Sequence, residues 1–258
     1  MHLYLNFFAM HLKSQMQYKA SFFMLIFGQF LASFTAFVGV YFMFLRFNIV
    51  EDFSFQHVLL CFAVVTMAHS LAEIFGRGFD HFPRMISNGE FDRALVRPRN
   101  IIFQILAYKI DFTRIGIFVQ AIFIFCYAIP NSGITWTPDK ILTLFLMVIC
   151  GSIIFFCVFV IYAAFSFFTI EGLEFMNIFT HGGREFGRYP FSIYGKNILL
   201  FLSFVIPLAL FQYYPLLYLL DREKHPFYML TPLIGVLFII PSYTFFRFGL
   251  RNYKSTGS

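Results

Sequence analysis

The chain has 258 residues, of which 59% are hydrophobic and 12% charged, with a mean hydropathy of +0.74. Soluble domains carry about a quarter charged residues, and a domain of this length still exposes much of its surface, so this composition excludes a water-soluble globular protein. The net charge of +6 does not point to nucleic acid, because the basic residues sit in short segments between apolar runs rather than among stacking aromatics on a hydrophilic face.

Residues 1–19 place Leu5, Phe8, Leu12 and Met16 at helical spacing, with Asn6, Lys13 and Gln17 between them. That pattern predicts an amphipathic interfacial helix on the inner leaflet; a plain extension of the first span is the alternative. Lys13 and Lys19 precede an apolar run too long for a signal-peptide h-region and without a small-residue cleavage site, so the N-terminus does not read as a cleaved leader. Residues 20–258 then form a single transmembrane domain.

A hydrocarbon core about 30 Å thick takes roughly 20 helical residues. Six segments qualify: 20–45, 57–75, 105–129, 141–168, 198–219 and 228–246. The third carries Lys109, Asp111 and Arg114 in its first turns, while Pro207 and Pro241 are potential helix breaks in the fifth and sixth. Period-2 alternation is absent, which excludes a β-barrel. The expected fold class is all-α: a polytopic membrane protein of six transmembrane helices.

With the N-terminus inside, 15 of the 19 Lys and Arg residues fall on inner segments, and only Arg46, Lys140, Arg222 and Lys224 fall outside. The excess predicts both termini on the cytoplasmic side. The outer connections, 48–55, 130–140 and 221–227, are short. The inner ones, 76–104 and 169–197, are long enough to fold small helices and to meet a cytoplasmic partner. The 42 phenylalanines would suit an aromatic path for a flat or cationic cargo; the preferred reading is Phe in place of Leu on lipid-facing surfaces. Cys61, Cys126, Cys150 and Cys157 all lie in apolar runs without a C-x-x-C pair and read as small packed hydrophobes.

Catalytic motifs are absent. Gly195-Lys196 lacks both the upstream Gly and the following Ser or Thr of a phosphate-binding loop, and neither H-E-x-x-H nor G-x-S-x-G occurs. His69 and Glu73, at i and i+4, share a helix face near the inner end of the second span. A proton relay or a metal site would use such a pair, although a metal needs further ligands; a polar pair at the membrane edge is the preferred reading. Lys109, Asp111 and Arg114 pose the same choice, between the mouth of a polar pathway and an Asp111–Arg114 pair with Lys109 snorkelling to the headgroups. No metal site is expected.

In the first inner connection Pro83 can open a short helix and Gly89 can close it, followed by Glu90, Phe91 and Asp92 and a stop at Pro98. The pattern Ile86-x-x-Gly89-x-x-Asp92-x-x-Leu95-x-x-Pro98 resembles the membrane subunits of type-2 ABC exporters, in a six-helix bacterial branch that includes viologen and multidrug exporters. Further blocks carry the resemblance: Glu171-Gly172-Leu173-Glu174, Gly182-Gly183-Arg184-Glu185-Phe186, Tyr189-Pro190-x-x-Ile193-Tyr194-Gly195, Ile206-Pro207 and Tyr213-Tyr214-Pro215. Ala94 departs from the larger apolar residue expected there.

The resemblance implies a permease that builds half of a translocation pathway in the bacterial inner membrane. It would be paired with a second permease, identical or related, and surrounded by membrane lipids. ATP and Mg2+ would be bound by a separate cytoplasmic ATPase subunit in two copies, so the chain itself is expected to be neither an enzyme nor a cofactor protein. The loop after the second span would be the coupling helix, with Arg84, Met85, Ile86, Gly89, Glu90, Phe91 and Asp92 as the docking residues. Met85, Ile86 and Phe91 would form an apolar knob ringed by charge, the composition of a small specific interface. Two rivals remain: a secondary transporter or channel, which usually shows midplane charges or broken helices in repeated halves, and an intramembrane enzyme, for which only His69 and Glu73 offer groups. Cargo is not decided by these residues.

Overall fold

The computed structural model describes residues 2–47, 49–50, 52–169 and 174–254. Among them the chain is almost wholly helical, an all-α polytopic membrane protein. Helix α1 (His2–Gln15) passes through a 3-10 turn, Met16–Tyr18, into α2 (Lys19–Arg46). Together, residues Tyr4–Arg46 make a stretch of 43 residues. Such a length corresponds to about 65 Å of helix, about twice a hydrocarbon core of about 30 Å, so the stretch is too long for a single straight crossing. Tyr4, Phe8, Leu12 and Met16 face Phe22, Ile110 and Phe112, whereas Leu5, expected on the same apolar stripe, is exposed.

A hairpin of two short antiparallel strands, β1 (Ile49–Val50) and β2 (Phe53–Ser54), leads into α3 (Phe55–Asp80). Ser54 and His57 start that helix with reciprocal side chain–backbone hydrogen bonds, each 3.4 Å. α3 is buried nearly all round, which is the behaviour of a helix apolar on every face. Two short helices, α4 (Phe82–Ser87) and α5 (Glu90–Leu95), follow, then α6 (Ile101–Tyr108) and α7 (Ile115–Asn131).

The third span therefore begins near Phe112, not at Ile105 as the sequence suggested. Lys109 is extended, and Asp111 Oδ1 accepts from the Thr113 amide at 3.1 Å and the Thr113 hydroxyl at 2.6 Å. This Asx turn ends α6 and caps the next turn. The open backbone is closed from α1: Gln15 Nε2 donates to the Ile110 carbonyl at 2.5 Å, and Gln15 Oε1 accepts from Phe112 N–H at 3.2 Å.

Helix α8 (Pro138–Phe165) packs along α3, and after α9 (Glu174–Asn177) and α10 (His181–Gly187) come α11 (Lys196–Phe204) and α12 (Leu208–Leu219). The block at 171–173 lies outside the described residues. The expected fifth span, 198–219, is two arms bent by 113°. Pro207 is the cause: its ring disfavours helical backbone at Ile206 and removes an amide donor. α13 (Pro226–Val236) and α14 (Ile239–Asn252) follow, offset at Leu237–Phe238, where Pro241 cannot donate to the Leu237 carbonyl. Among the described residues five stretches are long and apolar enough to cross a membrane, and the bent α11–α12 pair makes a sixth if it counts as one span.

Phenylalanine is not confined to the lipid-facing surface. Phe62, Phe79, Phe82, Phe91, Phe155, Phe159, Phe191, Phe211 and Phe246 are all fully buried, because edge-to-face rings can fill a core as well as cover a lipid surface. Cys61, Cys150 and Cys157 are buried free thiols and Cys126 is exposed.

Candidate functional site

The C-terminal half of α3 projects His69, Glu73, Arg77 and Asp80 along one face, at successive spacings of four, four and three residues. The turn before α7 brings Asp111 and Arg114 against that face, and α10 adds His181. Arg77 is the hub. Its Nη1 lies 3.1 Å from Glu73 Oε1 and 2.7 Å from Asp80 Oδ2, and its Nε lies 3.7 Å from Asp111 Oδ2. Arg114 reaches Glu73 Oε1 and Asp111 Oδ2, each at 3.6 Å, and donates to Gln29 of α2 at 3.1 Å. Glu73 and His69 have no exposed surface. Buried charges are retained only where partners offset desolvation, and the guanidiniums meet that need for Glu73.

Of the polar candidates named from sequence, His69, Glu73, Asp111 and Arg114 come together in this network. Lys109 does not: its Nζ lies 3.1 Å from His81 Nε2. Burial, with Arg77 nearby, holds the Lys109 ammonium below its ordinary pKa. Sequence reasoning missed Arg77, Asp80 and His181. The first two continue the His69–Glu73 face at helical spacing and were legible there; nothing in the sequence signals that His181 returns to it.

The segment after α3 is a folded unit rather than a loop. Pro83 sits in the first turn of α4, and Gly89 adopts φ +66°, the left-handed conformation that lets α5 turn away. Phe82 packs edge-to-face on Phe91 at 4.8 Å and on Phe167 at 5.1 Å, and lies 5.9 Å from Phe246. Phe91 also meets Tyr253 at 5.1 Å. The expected apolar knob is therefore turned the other way: Met85, Ile86 and Phe91 are buried in this chain's own core, because the aromatic ends of α8 and α14 supply the apolar surface they need. Arg84, Ser87, Asn88, Arg93 and the terminal Leu95 are what the two helices and the turn between them expose. Glu90 accepts from the Tyr108 hydroxyl at 2.7 Å and Asp92 from that of Tyr253 at 3.0 Å. Burial together with the Asp92 contact pushes the Tyr253 phenol up to about 12.

The second long connection, 169–197, was expected to remain on the inner side, but its 181–194 part folds back into the bundle. A Cβ at Gly187 would lie 2.9 Å from Val65, near the middle of α3, and Arg188 lies over the Phe62 ring at 5.0 Å. Gln212 of α12 donates to the Gly187 and Tyr189 carbonyls at 3.3 and 3.0 Å, which supplies donors to backbone outside any regular helix ladder. Arg184 and Arg188, counted from sequence with the inner loop, thus sit within the bundle, both paired with Glu185. With Gln29, Ser33 and Arg114 they line a polar cleft of about 340 Å³ between α2, α7 and α10. A larger groove, about 560 Å³ and mainly apolar, opens at the bend between α11 and α12, lined by Phe204, Pro207, Tyr214, Tyr228 and Phe238.

No curated protein and no solved structure matches the chain. The family model described as ABC-2 family transporter protein matches residues 30–257, from within α2 to beyond the end of α14. The chain therefore belongs to the ABC-2 family of transporter proteins, as a membrane permease.

Proposed function

We propose that this permease forms half of an exporter's translocation pathway in the bacterial inner membrane, with both termini cytoplasmic. It pairs with a second permease, identical or related, and is driven by two copies of a separate ATPase that binds ATP and Mg2+. The α4–Gly89–α5 unit is the docking element, and the observation that carries this reading is its attachment. Phe82 and Phe91 lock it to Phe167, just beyond the end of α8, and Phe82 to Phe246 of α14, at ring separations of 5.1 to 5.9 Å. α3 runs into it through a single residue, His81. A push on this unit would reach three long helices together, which a flexible loop could not do. Arg84 and the exposed rim of Ser87 and Asn88 make the contact; Met85, Ile86 and Phe91 anchor it from behind; Gly89 shapes the turn; Glu90 and Asp92 brace it against Tyr108 and Tyr253. The polar cleft at Gln29, Ser33, Arg114 and Arg188 is this chain's contribution to the pathway wall.

A photo-crosslinking residue in place of Asn88 is expected to form an adduct with the ATPase in native membranes. The same residue in place of Glu223, at the opposite end of the bundle, is expected to form none. Gly89→Pro, which forbids φ +66°, should leave membrane insertion intact and abolish ATP-dependent transport. An Asn88 probe without adduct, together with unchanged transport in Gly89→Pro, would remove α4–α5 from the docking role.

A further inference from the structure

His69, Glu73 and His181 each offer a ligand atom, and these atoms lie within 4.8 Å of one another. The division of labour among their polar atoms is specific. Both guanidiniums approach Glu73 from one side, at Oε1. Oε2 is left without a hydrogen-bond partner, facing His69 Nδ1 at 3.4 Å. His69 is fully buried, wedged edge-to-face against Phe155 at 4.9 Å, and neither of its ring nitrogens has a hydrogen-bond partner. Orphaned lone pairs on a buried imidazole and a buried carboxylate are costly unless a cation or proton completes them. His181 supplies the third arm: its Nδ1 lies 3.9 Å from Glu73 Oε1, and its Nε2 points to Asp80 Oδ1 at 3.7 Å. A carboxylate behind the far nitrogen of an imidazole is the usual support of a metal-bound histidine.

We infer that His69, Glu73 and His181 form a binding site for a divalent transition-metal ion of the zinc class. The ligands are His69 Nδ1, Glu73 Oε2 and His181 Nδ1, with Asp80 orienting His181. Two imidazoles and one carboxylate make a set that zinc accepts in three-ligand sites, the fourth position going to water. Donor atoms of a tetrahedral zinc stand roughly 3.4 Å apart for bonds of about 2.0–2.1 Å, so closure needs side-chain shifts of about 1 Å. His181 is the arm free to make them, because its side chain is 40% exposed whereas His69 and Glu73 are fixed in the core. Arg77 and Arg114 oppose a cation, and Asp80 and Asp111 offset them at 2.7 and 3.6 Å. Occupancy would pin α10, and with it the re-entrant segment, to the middle of α3. The inference does not depend on the docking role of α4–α5.

The test is metal binding by the full-length protein, purified in detergent without a histidine tag and stripped with chelator. Titration with Co2+ should give visible absorption of a tetrahedral N/O site, saturating at one ion per chain, and Zn2+ should displace it stoichiometrically. Asp80→Asn should weaken Zn2+ binding by about ten- to a hundredfold, and His181→Ala should weaken it further while remaining folded, since that side chain is half exposed. Glu73→Gln, nearly isosteric, should abolish the absorption. Absence of a tetrahedral cobalt spectrum in the unmodified protein, or a spectrum and stoichiometry that persist in His181→Ala, would overturn the site.

Discussion

Gly116→Leu is expected to loosen α2 from the bundle and to lower the thermal midpoint of the detergent-solubilised protein by roughly 10 °C. A Cβ at position 116 would lie 2.1 Å from the Ile26 carbonyl oxygen and 3.1 Å from the Phe30 amide nitrogen, both of them backbone atoms that cannot swing aside. Apart from Phe22, Val40 and Phe44, which are buried near its two ends, α2 packs apolar side chains on the bundle sparingly. Phe23, Met24, Phe27 and Phe42 are exposed, and lipid tails solvate such side chains as well as protein does, so helix association in a bilayer rests on close packing and polar contacts. Two polar contacts span this interface, Ser33 Oγ to Gln120 Oε1 at 2.8 Å and Arg114 to Gln29 at 3.1 Å, and both depend on the approach that Gly116 permits. Overpacking costs about 1–3 kcal/mol and each lost hydrogen bond about 1 kcal/mol; at about 2–4 °C per kcal/mol for a chain near this size, the shift follows. Gly28→Leu, on α2 itself with nothing within 4 Å of its Cβ position, is the control and should move the midpoint little. Equal shifts in the two variants would mean that the α2–α7 approach does not hold the helix.

The spans were legible in the sequence because a bilayer imposes a length of about 20 apolar residues whatever the fold. Their arrangement was not, for the same reason. α2 and α3 are both long apolar helices, yet α2 is largely exposed and α3 is the buried centre. Lipid-facing and core positions call for the same residue types, so amphipathic patterning carries little information about either. The α4–α5 segment shows the limit differently: Pro83 and Gly89 mark its turns, but an apolar triplet does not say whether Met85, Ile86 and Phe91 face a partner or their own chain. Pro207 marked a break, and neither its 113° angle nor the return of 181–194 to mid-bundle depth was encoded locally. Those depend on Gly183, Gly187 and Gln212, whose partners lie on other helices.

Arg77→Met is expected to destabilise the protein by about 3–5 kcal/mol, the cost of removing one partner from a buried ion network. Arg77 is the only side chain within 4.0 Å ion-pair distance of all three carboxylates, Glu73, Asp80 and Asp111, among the described residues. Without it Arg114 is the one guanidinium left within ion-pair reach of them among the described residues, at 3.6 Å from Glu73 and Asp111 and not paired with Asp80, and Glu73, with no exposed surface, cannot recover its charge interaction from water. Arg77→Lys should recover only part of the loss, because one ammonium cannot present the guanidinium's separate donors to three carboxylates. Arg77→Met combined with Glu73→Leu should be more stable than Arg77→Met alone, since an apolar replacement of both partners leaves no buried charge unpaired on α3. Thermal midpoints of the three variants in detergent check this order. If the double variant were the least stable, Glu73 would owe its place to something other than Arg77, with His69 and His181 as its remaining partners.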